Sequence, residues 1–81
     1  MQKIKTIGDI QDIAQVEPLE CFIALAGGMI RSSKTIFYYP ELEQYEVTHE
    51  IDDTTELLSE KEMLENTNIG EALKVGALFA Y

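Results

Sequence analysis

The stretch Cys21-Phe22-Ile23-Ala24-Leu25-Ala26-Gly27-Gly28-Met29-Ile30-Arg31-Ser32-Ser33-Lys34-Thr35-Ile36-Phe37-Tyr38-Tyr39 decides the fold class. β-Branched and aromatic residues surround two turn signals, Gly27-Gly28 and Ser32-Ser33, which is the pattern of a β-hairpin. The place of the turn sets which residues pair. A turn at Gly27-Gly28 sets Leu25 against Ile30 but Ile23 and Phe22 against Ser32 and Ser33, leaving apolar surface opposite hydroxyls. A turn centred on Ser32-Ser33 sets Met29 against Ile36, Gly28 against Phe37 and Gly27 against Tyr38. The second register is the expectation, because it matches apolar with apolar and lets rings cover the bare backbone of the glycines.

Downstream, Pro40 to Gln44 reads as a loop and Tyr45 to Ile51 as a third strand, with Tyr45, Val47, His49 and Ile51 on one face and Glu46, Thr48 and Glu50 on the other. Carried across the meander, this register places Phe22, Ala24, Ala26, Phe37, Tyr39, Tyr45, Val47 and Ile51 on a common apolar face that helices must cover. Upstream, Ile4, Ile7, Ile10, Ile13 and Ala14 recur at helical spacing, Thr6 and Asp9 have the spacing of a capping box, and Pro18 ends the segment. Ser59 with Glu62 and Asn68 with Glu71 mark two more short helices, and Gly76 is a left-handed cap for the last. Ala77 to Tyr81 fits either a final strand beside the first or a buried continuation of the helix. The expected architecture is one α+β domain over residues 1–81: an N-terminal helix, a three-stranded antiparallel β-meander, two short helices and, on the first of those alternatives, a C-terminal strand.

Eighty-one residues with 46% hydrophobic content suit a small globular chain whose core is thin. The longest apolar stretch, Cys21 to Ile30, falls well short of the ~20 residues that span a bilayer. Polar residues break any apolar run near Lys3 and Lys5, so no signal peptide is expected. With a single cysteine, Cys21, no internal disulfide can form, and a cytoplasmic location is expected.

Charge is the most informative feature. Residues 1–40 carry four carboxylates and four cations and residues 66–81 one of each, so the whole net charge of -9 lies between Glu41 and Glu65, where ten carboxylates meet only Lys61. That balance disfavours nucleic acid and anionic membrane as partners and favours a protein with a basic surface. Glu46, Glu50, Asp52, Asp53, Glu56 and Glu60 are the candidate partner-binding residues. An ordinary solvated face explains the same residues. Arg31-Ser32-Ser33-Lys34 is the basic cluster; as a turn it offers two cations and two hydroxyls to an anion or phosphate, an alternative function as a small-ligand binder.

No enzymatic motif stands out. Gly27-Gly28 lacks the strand-to-helix context and the Gly-Lys-Ser/Thr ending of a phosphate loop. Cys21 and His49 fall on opposite faces in the register above, so they cannot form a nucleophile and base pair. The set of ligands for a metal is incomplete, and no cofactor is implied. Tyr38, Tyr39, Tyr45 and Phe37 gather near the second hairpin, where an exposed ring can anchor an interface. Pairing at an exposed strand edge could also make the chain a homo-oligomer.

Ala26 to Lys34, Glu50-Ile51-Asp52-Asp53-Thr54, Thr67-Asn68-Ile69-Gly70-Glu71-Ala72-Leu73 and Gly76-Ala77-Leu78 resemble a group of small proteins carried on plasmids, integrative elements and phages. The resemblance implies an intracellular accessory or inhibitory protein of a mobile genetic element that acts by binding a host protein. It transfers no catalytic residue.

Overall fold

Thr6 and Ser59 each open a helix in the way their sequences predict. The Thr6 hydroxyl accepts the Asp9 N–H at 3.2 Å and the Asp9 carboxylate accepts the Thr6 N–H at 3.1 Å, starting α1, Ile7–Ala14. Ser59 and Glu62 exchange the same two bonds at the head of α2, Glu60–Asn66. The computed structural model to which these contacts belong describes residues 2–24 and 30–81, the side chains at 30 and 31 excepted.

The third helix, α3, spans Ile69–Val75, but the Asn68 side chain makes no capping bond. Thr67 does that work from one residue earlier: its hydroxyl accepts the Ile69 N–H at 3.2 Å and donates to the Met63 carbonyl, tying the end of α2 to the start of α3. Gly76, at φ 69, ends α3 in the left-handed conformation, and the Ala77 N–H reaches back to the Ala72 carbonyl at 2.9 Å. The apolar tail is therefore free to turn back as a strand.

Among the described residues six strands form one sheet: β1 Gln2–Lys3, β2 Leu19–Ala24, β3 Ile30–Tyr39, β4 Gln44–His49, β5 Thr54–Ser59 and β6 Leu78–Ala80. Their order is β1-β6-β2-β3-β4-β5, and every neighbouring pair is antiparallel. The α+β class matches the expectation, and of the two alternatives left open for Ala77 to Tyr81 the strand is the one that forms. The three-stranded meander does not match, because β5 extends it to four strands and β6 and β1 extend the sheet on its other side. β5 fills the interval between the expected third strand and the helix that Ser59 opens, to which the sequence reading assigned no element. The turn from Glu50 to Asp53 closes on Asp53 at φ 57, and the Asp52 carboxylate accepts both the N–H and the hydroxyl of Thr54, at 3.3 and 2.8 Å.

From Leu19 to Ile23 the register between β2 and β3 is the one rejected on sequence; a shift after Ile23 then sets Ala24, not Leu25, against Ile30. Ile23 pairs with Ser32, Phe22 with Ser33 and Cys21 with Lys34, while Ile36 meets Leu19, not Met29. The mismatch is tolerated because both hydroxyls have partners: Ser32 Oγ accepts from Lys34 Nζ at 3.1 Å, and Ser33 Oγ bonds the Tyr81 hydroxyl at 2.7 Å. The pairings expected of Gly27, Gly28 and Met29, and the position of Ala26, lie outside the described residues.

A second correction concerns the faces. The expected loop Pro40–Gln44 is one residue shorter, with Gln44 already paired to Tyr39, and that single residue turns all of β4 over. Phe22, Ala24, Phe37 and Tyr39 thus share the outer face, Tyr45 and Val47 face inward, and Ile51 sits in a turn, 79% exposed. Inward-facing Leu19, Cys21, Ile23, Ile36, Tyr45, Val47, Leu58, Leu78 and Ala80 pack under Ile10 and Ala14 of α1, Met63 of α2 and Ile69 and Ala72 of α3. The helices cover one face of the sheet only. Among the described residues no helix is long and apolar enough to cross a membrane.

Candidate functional site

Two features of the sheet bear on function, a polar row buried on the inner face and an acidic flank at the β5 side. The row follows from the register: Cys21 of β2 stands beside Lys34 of β3, which stands beside His49 of β4. Lys34 is only 4% exposed. Its ammonium donates to Ser32 Oγ at 3.1 Å and to His49 Nδ1 at 2.9 Å. With Nδ1 accepting, the imidazole proton is assigned to Nε2, which donates to the Glu56 carboxylate at 2.7 Å. Carboxylate, imidazole and ammonium therefore run in one chain from the sheet edge to its interior. Burial holds the Lys34 pKa below the usual lysine range, while Cys21, Asp52 and Glu56 pull it back up.

Cys21 and His49 lie on the same face, contrary to the sequence reading, because of the register that formed. They still make no pair, since Lys34 stands between them and two strand spacings are ~10 Å. The thiol donates to the Lys34 carbonyl at 3.5 Å, and burial pushes its pKa up to about 12. A thiol so placed is no nucleophile near neutral pH. Its native pKa exceeds the unfolded 9.0, so Cys21 stabilises the fold fully below pH 9, and that contribution is lost as pH rises towards 12. Alkaline unfolding followed by circular dichroism should show a decline worth up to ~4 kcal/mol across that window, shallower in Cys21→Ala. Equal slopes in the two proteins would show that the thiol is not held protonated.

The residues of the predicted anion turn lie in a strand. Residues 31–34 belong to β3, so Ser32 and Lys34 point inward and Ser33 outward, and the Arg31 side chain lies outside the described residues. Lys34 and Ser32 bond one another on the inner face, opposite the side of Ser33.

The six predicted acids share a flank but not a single patch. Glu50, Asp52 and Asp53 form the β4–β5 turn, and Glu56 lies close by on the inner side of β5, bonded to His49. Glu46 is on the outer face of β4, where it accepts the Tyr39 hydroxyl at 3.0 Å. That bond raises the tyrosine pKa. Glu60 opens α2 at the far end of β5, ~20 Å from the turn by strand rise. There the Gln11 amide donates to the Tyr45 hydroxyl at 2.7 Å, and the hydroxyl in turn reaches Glu60 at 3.5 Å. The separation of Glu46 from Glu56 follows from strand alternation, which an acidic loop would not impose.

Sequence reasoning missed the edge strand β5 itself. Thr54, Thr55, Leu57 and Leu58 carried the signal, two β-branched residues followed by apolar ones after an Asp-Asp turn. Among the described residues, the clefts at Lys5–Glu65, Glu17–Tyr81, Gln11–Glu60 and Ile23–Glu71 do not border Cys21, Lys34 or His49. Among the described residues no group of three or more His, Cys, Asp or Glu side chains is placed to hold a metal ion. Comparison with protein-family models, with curated proteins and with solved structures produced no match.

Proposed function

We propose that this chain is a non-enzymatic protein-binding module whose acidic flank, from the β3–β4 turn through α2, docks a basic protein surface. The observation that carries this reading is lateral segregation of charge. Ten carboxylates with only Lys61 among them fall on the β4–β5–α2 side of the sheet, whereas Lys3 occupies β1 at the opposite edge; Lys34, chained to Glu56 through His49, offsets one carboxylate, and Lys5 and Lys74 share a cleft with Glu65 at the end of α2. Five strand spacings separate the two edges by ~24 Å, more than twice the ~8 Å Debye length at physiological salt. Lys3 is therefore too distant to screen the flank, and the surplus of carboxylates around the β4–β5 turn, one of them offset by Lys34, steers a cationic partner towards β5. The resemblance noted above puts such a partner in the host of a mobile element, with this chain as an accessory or inhibitory protein.

Capture of a host protein on the immobilised chain tests the reading. A specific partner identified at low salt is expected to be released at about 0.5 M salt. It should also be lost to the variant Glu50→Gln/Asp52→Asn/Asp53→Asn/Glu56→Gln, provided that variant keeps the native circular dichroism. Undiminished capture by the neutralised variant would remove the flank from the interaction.

A further inference from the structure

We infer that the free edge of β5 is a strand-addition site, and that its occupant is an extended segment of a partner protein in which lysine or arginine alternates with apolar residues. This inference rests on the acidic-flank reading and specifies how the partner is held. β5 is the terminal strand, and no described element pairs with its outer side. Which backbone groups are free follows from the ladder. The Glu50 N–H donates to the Ser33 carbonyl at 3.2 Å, so Ser33 and Glu50 form a hydrogen-bonded pair. Antiparallel alternation then turns the backbone groups of residues 44, 46 and 48 towards β3 and those of 45, 47 and 49 towards β5. Thr54, Glu56 and Leu58 consequently bond β4, and Thr55, Leu57 and Ser59 turn their N–H and C=O outward. The Ser59 N–H is already taken by Glu62. Thr55 and Leu57 remain, each with a donor and an acceptor, spaced to receive one strand.

Natural edges are usually blunted by proline, lysine, a bulge or short length. β5 has six residues, neither proline nor lysine, and no register shift against β4. The other edge, β1, is two residues long and carries Lys3. β5 is protected by negative charge instead, and that charge selects the occupant. Antiparallel pairing of two copies through β5 would bring Asp52 and Asp53 of one against Glu60 and Glu62 of the other, a like-charge arrangement that opposes self-association. A basic strand turns the same groups into attractions.

Alternation also sets the order of the partner's side chains. Those opposite Thr55 and Leu57 lie on the outer face, where Leu57 is 55% exposed and continues the row Phe37–Glu46–Leu57, so they are apolar or β-branched. Those between them lie on the side of Glu56 and are basic.

The test uses a synthetic eight-residue peptide of alternating lysine and valine and two analogues with the same charge, one N-methylated at the valines and one at the lysines. In the bound register the valine N–H groups meet the Thr55 and Leu57 carbonyls. The valine-methylated analogue is therefore expected to bind at least about tenfold more weakly than the parent, and the lysine-methylated one about equally. Amide exchange at Thr55 and Leu57, measured by NMR, should slow at least about tenfold in the parent complex. Equal binding of all three peptides, salt-sensitive and without protection at Thr55 and Leu57, would overturn strand addition while leaving the acidic flank as a docking surface. No binding of any peptide at low salt overturns both. A dimer in sedimentation that Leu57→Pro dissolves would make a second copy the occupant and refute the basic segment. The Leu57 N–H faces outward, so proline there leaves the ladder to β4 intact.

Discussion

Gly70→Ala is expected to destabilise this protein by ~3 kcal/mol, read as a lower urea midpoint at unchanged slope. Gly70 is buried in the first turn of α3, where that helix crosses the end of α2. A Cβ at this position would collide with the carbonyl oxygen of Leu64 and lie 2.8 Å from the carbonyl carbon. Backbone within α2 cannot retreat as a flexible side chain could, so the two helices must part. Their separation strains the Thr67 clamp between Met63 and Ile69 and opens the core around Met63, Ile69 and Ala72. Gly8→Ala provides the contrast. There the new methyl meets only Thr6 Oγ1 at an ordinary 3.5 Å, so the higher helix propensity of alanine should stabilise by ~0.5 kcal/mol. Wild-type stability in Gly70→Ala would refute the close approach of α2 and α3.

His49→Leu should lower stability by ~3 kcal/mol at pH 7, because it strands a buried cation. The Lys34 ammonium has two side-chain acceptors, Ser32 Oγ and His49 Nδ1, and loss of the imidazole leaves one hydroxyl. If charge is the cause, removing it repairs the damage. The double variant Lys34→Met/His49→Leu, with neither a buried charge nor an orphaned ring nitrogen, should return to within ~1 kcal/mol of the wild type. The pH dependence has a definite sign. Burial lowers the Lys34 pKa from 10.5, so at low pH the lysine is protonated in both states and its burial penalty is largest. As pH climbs from the native value towards 10.5, the native state sheds its proton first, the unfolded chain binds more protons, and stability on this account rises. That rise should steepen in His49→Leu and vanish in the double variant. A double variant as unstable as the single one would assign the loss to packing.

Where local chemistry closes on itself, sequence and structure agree. The capping boxes at Thr6–Asp9 and Ser59–Glu62 and the left-handed cap at Gly76 each involve residues a few positions apart, and each formed as expected. Asn68 failed as a cap because Thr67, one residue away, also reaches the Ile69 N–H and gains a second bond to Met63. Long-range pairing was far less legible. Apolar matching argued against Ile23 opposite Ser32 and Phe22 opposite Ser33, but it could not register what the hydroxyls gain from Lys34 Nζ and the Tyr81 hydroxyl, groups remote from that pairing. One residue of loop length put Tyr45, Val47 and His49 on the face opposite Phe37 and Tyr39, so the expected common face split and only the β4 residues kept the helix-covered side.

The sequence by itself determined the α+β class, the starts of α1 and α2, the end of α3 and the concentration of negative charge in residues 41–65. Local hydrogen bonds and composition suffice for each of these. Tertiary structure alone decided that Cys21, Lys34 and His49 form a row, that Glu46 and Glu56 part to opposite faces, and that β5 is left as an edge with Thr55 and Leu57 facing out. Strand side chains alternate with a period of two, so a single step of register reassigns a whole strand between core and surface. That step is set by the combined satisfaction of distant polar groups, which no local pattern contains.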